Sequence, residues 1–560
     1  MTLTHNGKIV EFSNDDTFLK LANSFQKEYD APIIIAKINE RLIELNKKIS
    51  DEFNFFRKDE TINVTFITTK SREGKKIYER GATMMLLSAV YEIYGQATEK
   101  AKTEYAIGDS IYFKIKINGK EKITEEDIQL IKEKMNEYVK KDYKFEKMRV
   151  HTRELIEFLK TVGVHDKERL FHYRLSSYIN VYKMNKYYDY FYGSMPYSTK
   201  QINVFDIKAN ADGLLLVLPK LNEPTKQGSS FIPMKMFNTM FESNIWSENI
   251  NVTNVAELND AIVNGNGRDI ILSCEAYQEH IIGEIASRIK KENRRIVLIA
   301  GPSSSGKTSF SHRLAIQLKN LGIKAHPIGM DNFYLDRTLI PTNNKGEKDF
   351  ECLEAFNIEL FNNLMLKIMK GDETILPTFN FRTGKPEFNS KPMKISDNEV
   401  LIIEGIHGIN DKFSYAIKPE DKYKIYISAI TTLNIDEHNR IPTTDHRMIR
   451  RMVRDARTRG FSCLETIKQW SSVRSGEEKY IFPFQESADF LFNSASVYEL
   501  AVLKQYVEPL LFAINRDEEG YLEAKRLLKF LNYFISLPSD DVPKNSIVRE
   551  FIGGSIFPVG

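Results

Sequence analysis

The chain is poor in the features that would place it outside the cell or in a membrane. Of its 560 residues only three are cysteine (Cys274, Cys352 and Cys463), far apart and without a CxxC pair. That excludes a disulfide framework and a cysteine zinc site, and it fits a reducing cytoplasm. No run of about 18 apolar residues is present to span a bilayer. The start, MTLTHNGKIVEF, lacks the basic and apolar regions of a signal peptide. A surplus of one charge sign is missing too: 79 Lys and Arg against 76 Asp and Glu leave a net +3. The molecule as a whole therefore carries no nucleic-acid or membrane footprint. Repeats and low-complexity tracts are absent. What remains is 42% hydrophobic and 28% charged, the composition of a multidomain globular protein of the cytoplasm, too long for one ordinary core.

The first 70 residues read as short strands around a helix. TLTHNGKIVEF predicts a hairpin turning at Asn6-Gly7, a strong two-residue turn signal. A helix is expected over 16–29 and a strand over INVTFITT, 62–69. The stretch 124–141, TEEDIQLIKEKMNEYVKK, opens on a threonine cap and acids and closes on lysines, as a helix dipole favours. After a polar region that includes NEPTKQGSS (222–230), apolar runs alternate with helical stretches from Arg295 onward. RIVLIAG, EVLIIEG (399–405) and KIYISA (424–429) suit buried central strands of a parallel sheet covered by helices. The expected fold is multidomain, α+β in the N-terminal half and α/β in the C-terminal half.

LIAGPSSSGKTSF, 298–310, carries the most specific signal. Gly301, Pro302, Ser303, Ser304, Ser305, Gly306, Lys307 and Thr308 fit G-x-x-x-x-G-K-[ST], between an apolar strand and a helical segment that begins with Ser309. The glycines let the backbone wrap a phosphate with its N–H groups turned inward, and the following helix adds its positive end. Lys307 reaches β- and γ-phosphates and Thr308 holds Mg²⁺. An incidental serine-rich turn is the bland alternative.

Phosphoryl transfer also needs an oriented acceptor, metal near the phosphates and positive charge over the transferred group. Asp331, in MDNFY, follows a short apolar run and is placed to accept the proton of an attacking hydroxyl. Glu404 ends the strand VLIIEG, where α/β sites collect, and is a candidate Mg²⁺ ligand. A turn aspartate and an exposed strand-end acid are the alternatives. In DHRMIRRMVRDARTRG, Arg447, Arg450, Arg451 and Arg454 fall on one helix face. Like charges so close repel unless an anion lies among them, which suggests an arginine-lined lid; a solvated or RNA-binding face is the alternative.

Together, GPSSSGKTS, MDNFY, LIIEGIHG and RRMVRDARTRG resemble the uridine kinase and phosphoribulokinase branch of P-loop kinases, over roughly 290–515. The resemblance implies ATP and Mg²⁺, Asp331 as general base, and Thr308 and Glu404 near the metal. Arg451, Arg454 and Gln469 match lid positions that face phosphates or the nucleoside, whereas Phe461 stands where the pattern has another arginine. For the acceptor it implies Tyr334, Phe379 and Arg382. Here LPTFNFRTGKP departs from the family's tyrosine-aspartate-phenylalanine stretch, and no base-reading histidine follows. The expected activity is ATP-dependent phosphorylation of a nucleoside 5′-hydroxyl, with uridine or cytidine as acceptor. Two alternatives stay open: another acceptor, such as a sugar phosphate or a different nucleoside, or a nucleotide-switched, RNA-associated regulator.

The N-terminal half resembles the front of threonyl-tRNA synthetases. Residues 1–70 are similar to their ubiquitin-like TGS domain. Residues 71–225 are similar to the editing domain that follows it, through EGKKIYERGATMMLLSAVYEIYG, ITEEDIQLIKEKMNEYVKKDYKFEK and YYDYFYGSMPYSTKQINVFDI. The HxxxH and CxxxH positions of that domain align with Gly81, Met85, Phe191 and Met195, none able to activate water or hold a hard ion. The expectation is a retained shape without its chemistry, serving as a site for RNA, a nucleotide or a partner, or as a spacer that leaves a homo-oligomer open. Tyr182, Tyr187, Tyr188, Tyr190 and Tyr192 are strand core or a stacking surface. Residues 226–289 connect this half to a kinase domain at 290–560. The tail NSIVREFIGGSIFPVG is either a loop near the site or an exposed end.

Overall fold

In the computed structural model, the structure describes residues 2–13, 15–53, 61–120, 122–342, 346 and 348–559. Strands Thr2–His5 and Lys8–Ile9 turn at Asn6 (φ 50°) and Gly7 (φ 77°). Positive φ at both central positions is what an Asn-Gly turn supplies. This hairpin edges a five-stranded sheet completed by Thr61–Thr68, Ile33–Ile38 and Arg41–Ile43; its first and last long strands run parallel and the other pairs antiparallel. Phe18 and Leu21 of the helix Phe18–Phe25 pack into the core beneath it.

A second unit lays the helices Arg72–Tyr94 and Glu125–Lys141 on a four-stranded antiparallel sheet, Asp206–Asn210, Gly213–Val217, Ser110–Ile117 and Thr98–Ile107. The second helix begins where expected, with the Thr124 side chain and Asp127 closing a capping box. A three-stranded sheet, Tyr187–Asp189, Tyr178–Met184 and Glu146–His151, leads towards the C-terminal half.

There, five parallel strands stand in the order Lys324–Gly329, Glu399–Glu404, Ile296–Ala300, Lys422–Ser428, Phe490–Asn493. Every residue of Ile296–Ala300 is buried, as a β-branched strand paired on both edges and covered on both faces must be. The loops after the first three of these strands therefore gather at one end of the sheet, where α/β folds bind ligands.

One hydrophobic core runs through both halves. It joins Leu155 and Phe171 to Ile271 and Ile285 of the helix Gly267–Lys291, to Val297 and Ile402 of the parallel sheet, and to Phe530 and Phe551 near the end of the chain. The stretch expected to connect the halves is thus helical and part of the core. Of the tyrosine run, Tyr182 and Tyr190 are buried; Tyr192 donates to the Arg526 carbonyl at 2.6 Å. Only Tyr188 is among the large exposed side chains. Among the described residues no helix is long and apolar enough to cross a membrane.

Candidate active site

The phosphate loop is shaped by what holds its outer side. Arg447 Nε donates to the Ser303 carbonyl at 3.0 Å, Arg450 to the Ser304 carbonyl at 3.2 Å, and Ser494 Oγ to the Ser305 carbonyl at 2.6 Å. Three successive carbonyls so gripped turn their peptide dipoles outward and leave the loop concave towards N–H groups. Those of Gly306, Lys307 and Thr308 meet no protein acceptor among the described residues, and the Ser304 and Ser305 hydroxyls are buried without a partner. Buried donors left unpaired are costly unless a ligand satisfies them. A Cβ on Gly301 would lie 2.1 Å from the Ile427 carbonyl, and Gly306 sits at φ +84°, so neither position admits another residue without strain. These features fit a bound polyphosphate.

The two arginines that grip the loop are not part of a lid. Both are buried within the helix Thr443–Thr458. Arg447 pairs with Glu477, and Arg450 is held by both oxygens of Glu499, one at 2.6 Å. Burial alone would push Glu499 up, but Arg450 and His446 hold its carboxyl near 2. The expected repulsion along this face is relieved by carboxylates from two other helices, and the helix is a strut beneath the loop. Arg451 does reach the phosphate loop, while Arg454 is buried behind it against Asp455. Arg451 donates to Ser303 Oγ at 2.9 Å and lies 3.4 Å from Gln469 Oε1, which brings the loop, the arginine and Gln469 together. Arg451, Arg454 and Arg459 share one carboxylate, Asp455, at 3.2, 2.7 and 3.6 Å. Three guanidiniums on one acid leave a surplus suited to phosphate oxygens.

Across the cleft, Lys307 folds back onto the Gly301 and Pro302 carbonyls at 3.1 and 3.5 Å. Thr308 Oγ1 donates to Glu404 Oε1 at 2.9 Å. Desolvation raises Glu404 to about 7, Lys307 opposing and Asp331 adding to the rise. Asp331 opens onto the cleft with protein packed around it; desolvation raises its carboxyl, partly offset by Lys307 and Arg459. The loop lysine, the base candidate and the strand-end acid therefore converge. Among the described residues no three ligand side chains enclose a cation by themselves. Thr308 and Glu404 are hard-oxygen donors of the kind Mg²⁺ takes together with substrate phosphates.

The acceptor side differs from expectation. Tyr334 is buried and stacks on Phe356 at 4.3 Å, and Phe379 is only 4% exposed, packed edge-on against Tyr334. Phe381, two residues on and 58% exposed, lies just beyond the strand Thr378–Asn380 and is the ring that reaches solvent, its centroid 5.1 Å from that of Phe379. The side chain of Arg382 is likewise exposed.

Four site residues carried no recognisable sequence signal. Glu351 is raised to about 7 by desolvation, with Glu477 and Asp331 adding and Arg451 opposing. Its carbonyl accepts from the neutral, fully buried His407 of LIIEGIHG at 2.9 Å. Glu477 accepts the Ser303 N–H at 3.0 Å. Arg459 stands by Asp331 in place of the arginine sought at Phe461, which is exposed. Glu550, from the tail, accepts from both the N–H and Oγ of Ser309 at 3.0 and 2.8 Å, while Arg457 holds the Glu550 and Phe551 carbonyls. The tail is therefore part of the site.

Residues 296–501 match the sequence profile of the Phosphoribulokinase / Uridine kinase family. Uridine kinase-like protein 5 of Arabidopsis thaliana is 24% identical over 208 residues, 37% of this chain and 40% of that protein. The uridine kinase of Ureaplasma urealyticum is 24% identical over 216 residues, 38% of this chain and 95% of its own length. That of Saccharomyces cerevisiae is 27% identical over 261 residues, 46% of each. Among solved structures, D-glycerate 3-kinase from Cryptococcus neoformans aligns over 48% of this chain and 89% of its own, with 14% identity and a TM-score of 0.21. A possible uridine kinase from Bacillus stearothermophilus aligns over 36% and 89%, with 17% identity and a TM-score of 0.24. Over 296–501, the stretch that holds the phosphate loop and the cleft arginines, the chain is a kinase domain of the phosphoribulokinase and uridine kinase family.

Proposed function

We propose that the C-terminal half transfers the terminal phosphate of ATP to the 5′-hydroxyl of a nucleoside, uridine or cytidine. The observation that carries this reading is the convergence of Asp331 and Lys307 at one cleft, beside three arginines that share a single acid. The relatives named as uridine kinases favour a nucleoside as acceptor.

In this reading the loop amides and Lys307 bind the β- and γ-phosphates. Thr308 and Glu404 would hold Mg²⁺, which supplies charge neutralisation at the phosphates when bound. Asp331 orients the acceptor hydroxyl and takes its proton as the oxygen attacks; its raised carboxyl makes it a better proton acceptor. Arg451, Arg454 and Arg459 meet the charge that spreads over the transferred group. Phe381 and Arg382 form the exposed edge on which the nucleoside rests, and Gln469 lies within reach of Arg451 at the opposite wall. The reading of the N-terminal half as a synthetase-like domain without its chemistry is supported by four filled positions: Met85, Phe191 and Met195 are buried, and a Cβ on Gly81 would strike Pro196 at 2.6 Å.

A panel of nucleosides and sugar phosphates, scored by acceptor-dependent ADP release with Mg·ATP, tests the reading. Uridine or cytidine should give the highest kcat/KM. Turnover confined to non-nucleoside acceptors, or none that depends on an acceptor, would overturn it.

A further inference from the structure

Beside the plugged editing-like position lies a cavity of about 570 Å³, walled by residues 40–42, by the helix Arg72–Tyr94, and by Lys525, Arg526 and Lys529 near the end of the chain. It opens into a second of about 270 Å³; Lys147, Phe191, Ser194 and Lys529 line both. The volume is that of a small-molecule site.

Its rim charges are balanced. Arg526 is held by Asp445 at 2.6 Å and Glu523 at 2.6 Å, Arg440 by Glu79 at 3.1 Å, and Glu40 by Lys37 at 2.8 Å, while Glu73 is exposed. Its interior charges are not. Arg80 donates Nε to the Ser194 carbonyl at 2.8 Å and forms no ion pair among the described residues. Arg174 lies 4.5 Å over the Tyr533 ring and Lys529 5.5 Å over the Tyr192 ring, again without a carboxylate. Lys147 alone has one, Glu44 at 3.0 Å. Four cations thus face one acid. Desolvation, with Lys147, Arg174 and Arg80 adding to it, lowers Lys529 to about 8. Such a grouping is unfavourable in the empty protein and becomes favourable around an anion.

We propose that this cavity binds a phosphorylated small molecule of nucleotide size, its phosphate among Arg80, Lys147, Arg174 and Lys529 and its apolar or aromatic part against Phe191 and Tyr192. Guanidiniums match phosphate oxygens in pairs, and an aromatic wall suits a planar base. The site is separate from the kinase cleft and does not depend on which acceptor the kinase uses.

The test uses the full chain with Lys307→Ala, which disables the phosphate loop. It is titrated calorimetrically with pyrophosphate, AMP and UMP, and separately with tRNA. At least one small phosphate should bind saturably at one site, and about tenfold or more weakly in the added variants Lys529→Met and Arg174→Met. Without ligand, Lys529→Met should unfold at an equal or higher temperature than its parent, since methionine keeps the stem on Tyr192 and removes a repelled charge. A structural lysine would instead lower it. No saturable binding at millimolar concentration, binding indifferent to both substitutions, a lowered unfolding temperature, or binding of tRNA alone would each overturn the proposal.

Discussion

The kinase cleft and the N-terminal cavity solve the same electrostatic problem with different geometry. In the cleft, Arg451, Arg454 and Arg459 gather on Asp455 beside a loop whose N–H groups are aimed by buried ion pairs. In the cavity, Arg80, Lys147, Arg174 and Lys529 lie close together, and Glu44, paired with Lys147, is the carboxylate that answers them. Both leave cations in surplus; the cleft adds two carboxylates raised by burial, Asp331 and Glu404, whereas Glu79, Asp445 and Glu523 at the cavity rim are tied to arginines. In the proposed reading a surplus of cations serves binding, and the cleft's two acids add proton transfer and metal holding.

The largest effect that separates them is on turnover. Asp331→Asn should cut kcat roughly 10²–10⁴-fold in the ADP-release assay while ATP binding persists, and Lys529→Met should leave kcat within about twofold. Equal losses would make the two regions one site. Next in size is the strut. Glu499→Gln leaves Arg450 buried without its anion, and urea unfolding should show a loss of about 3–5 kcal/mol, whereas Arg174→Met in the cavity should cost little.

A smaller effect comes from Glu351. Its carboxyl is raised to about 7 in the folded chain against 4.5 for an ordinary glutamate. The folded state therefore binds the extra proton between those values, and the associated stability is present at pH 4.5 and lost as pH rises through 7. The nucleotide-free protein should lose on the order of 2 kcal/mol from this group between pH 5 and 8, and Glu351→Gln should flatten that slope in thermal unfolding. Smallest is Glu550→Ala, which strands the Ser309 donors and should cost about 1–2 kcal/mol, with weaker ATP binding in calorimetry.

The loop, Asp331 and Glu404 were legible because each is a short strand followed by its own loop, and a parallel sheet brings such loops to one end. Glu477 and Glu550 were not: they reach the loop from 174 and 241 residues away. A helical wheel put Arg447 and Arg450 on the right face but could not show that Glu477 and Glu499 meet them there, so a buried strut looked like a lid. Phe379 was expected at the acceptor for a similar reason, since only its packing against Tyr334, itself stacked on Phe356, shows that its ring is buried. The cationic cavity left no trace in the sequence, because its members are scattered between positions 80 and 529.

Glu550 and Ile547 meet the phosphate loop from far downstream, Ile547 so closely that a Cβ on Gly306 would touch it at 2.4 Å. During synthesis at roughly 5–20 residues per second, the nucleotide cradle stays without this brace for many seconds after its own residues have left the ribosome. A bulky group fused close behind residue 550 would be felt at the phosphate loop.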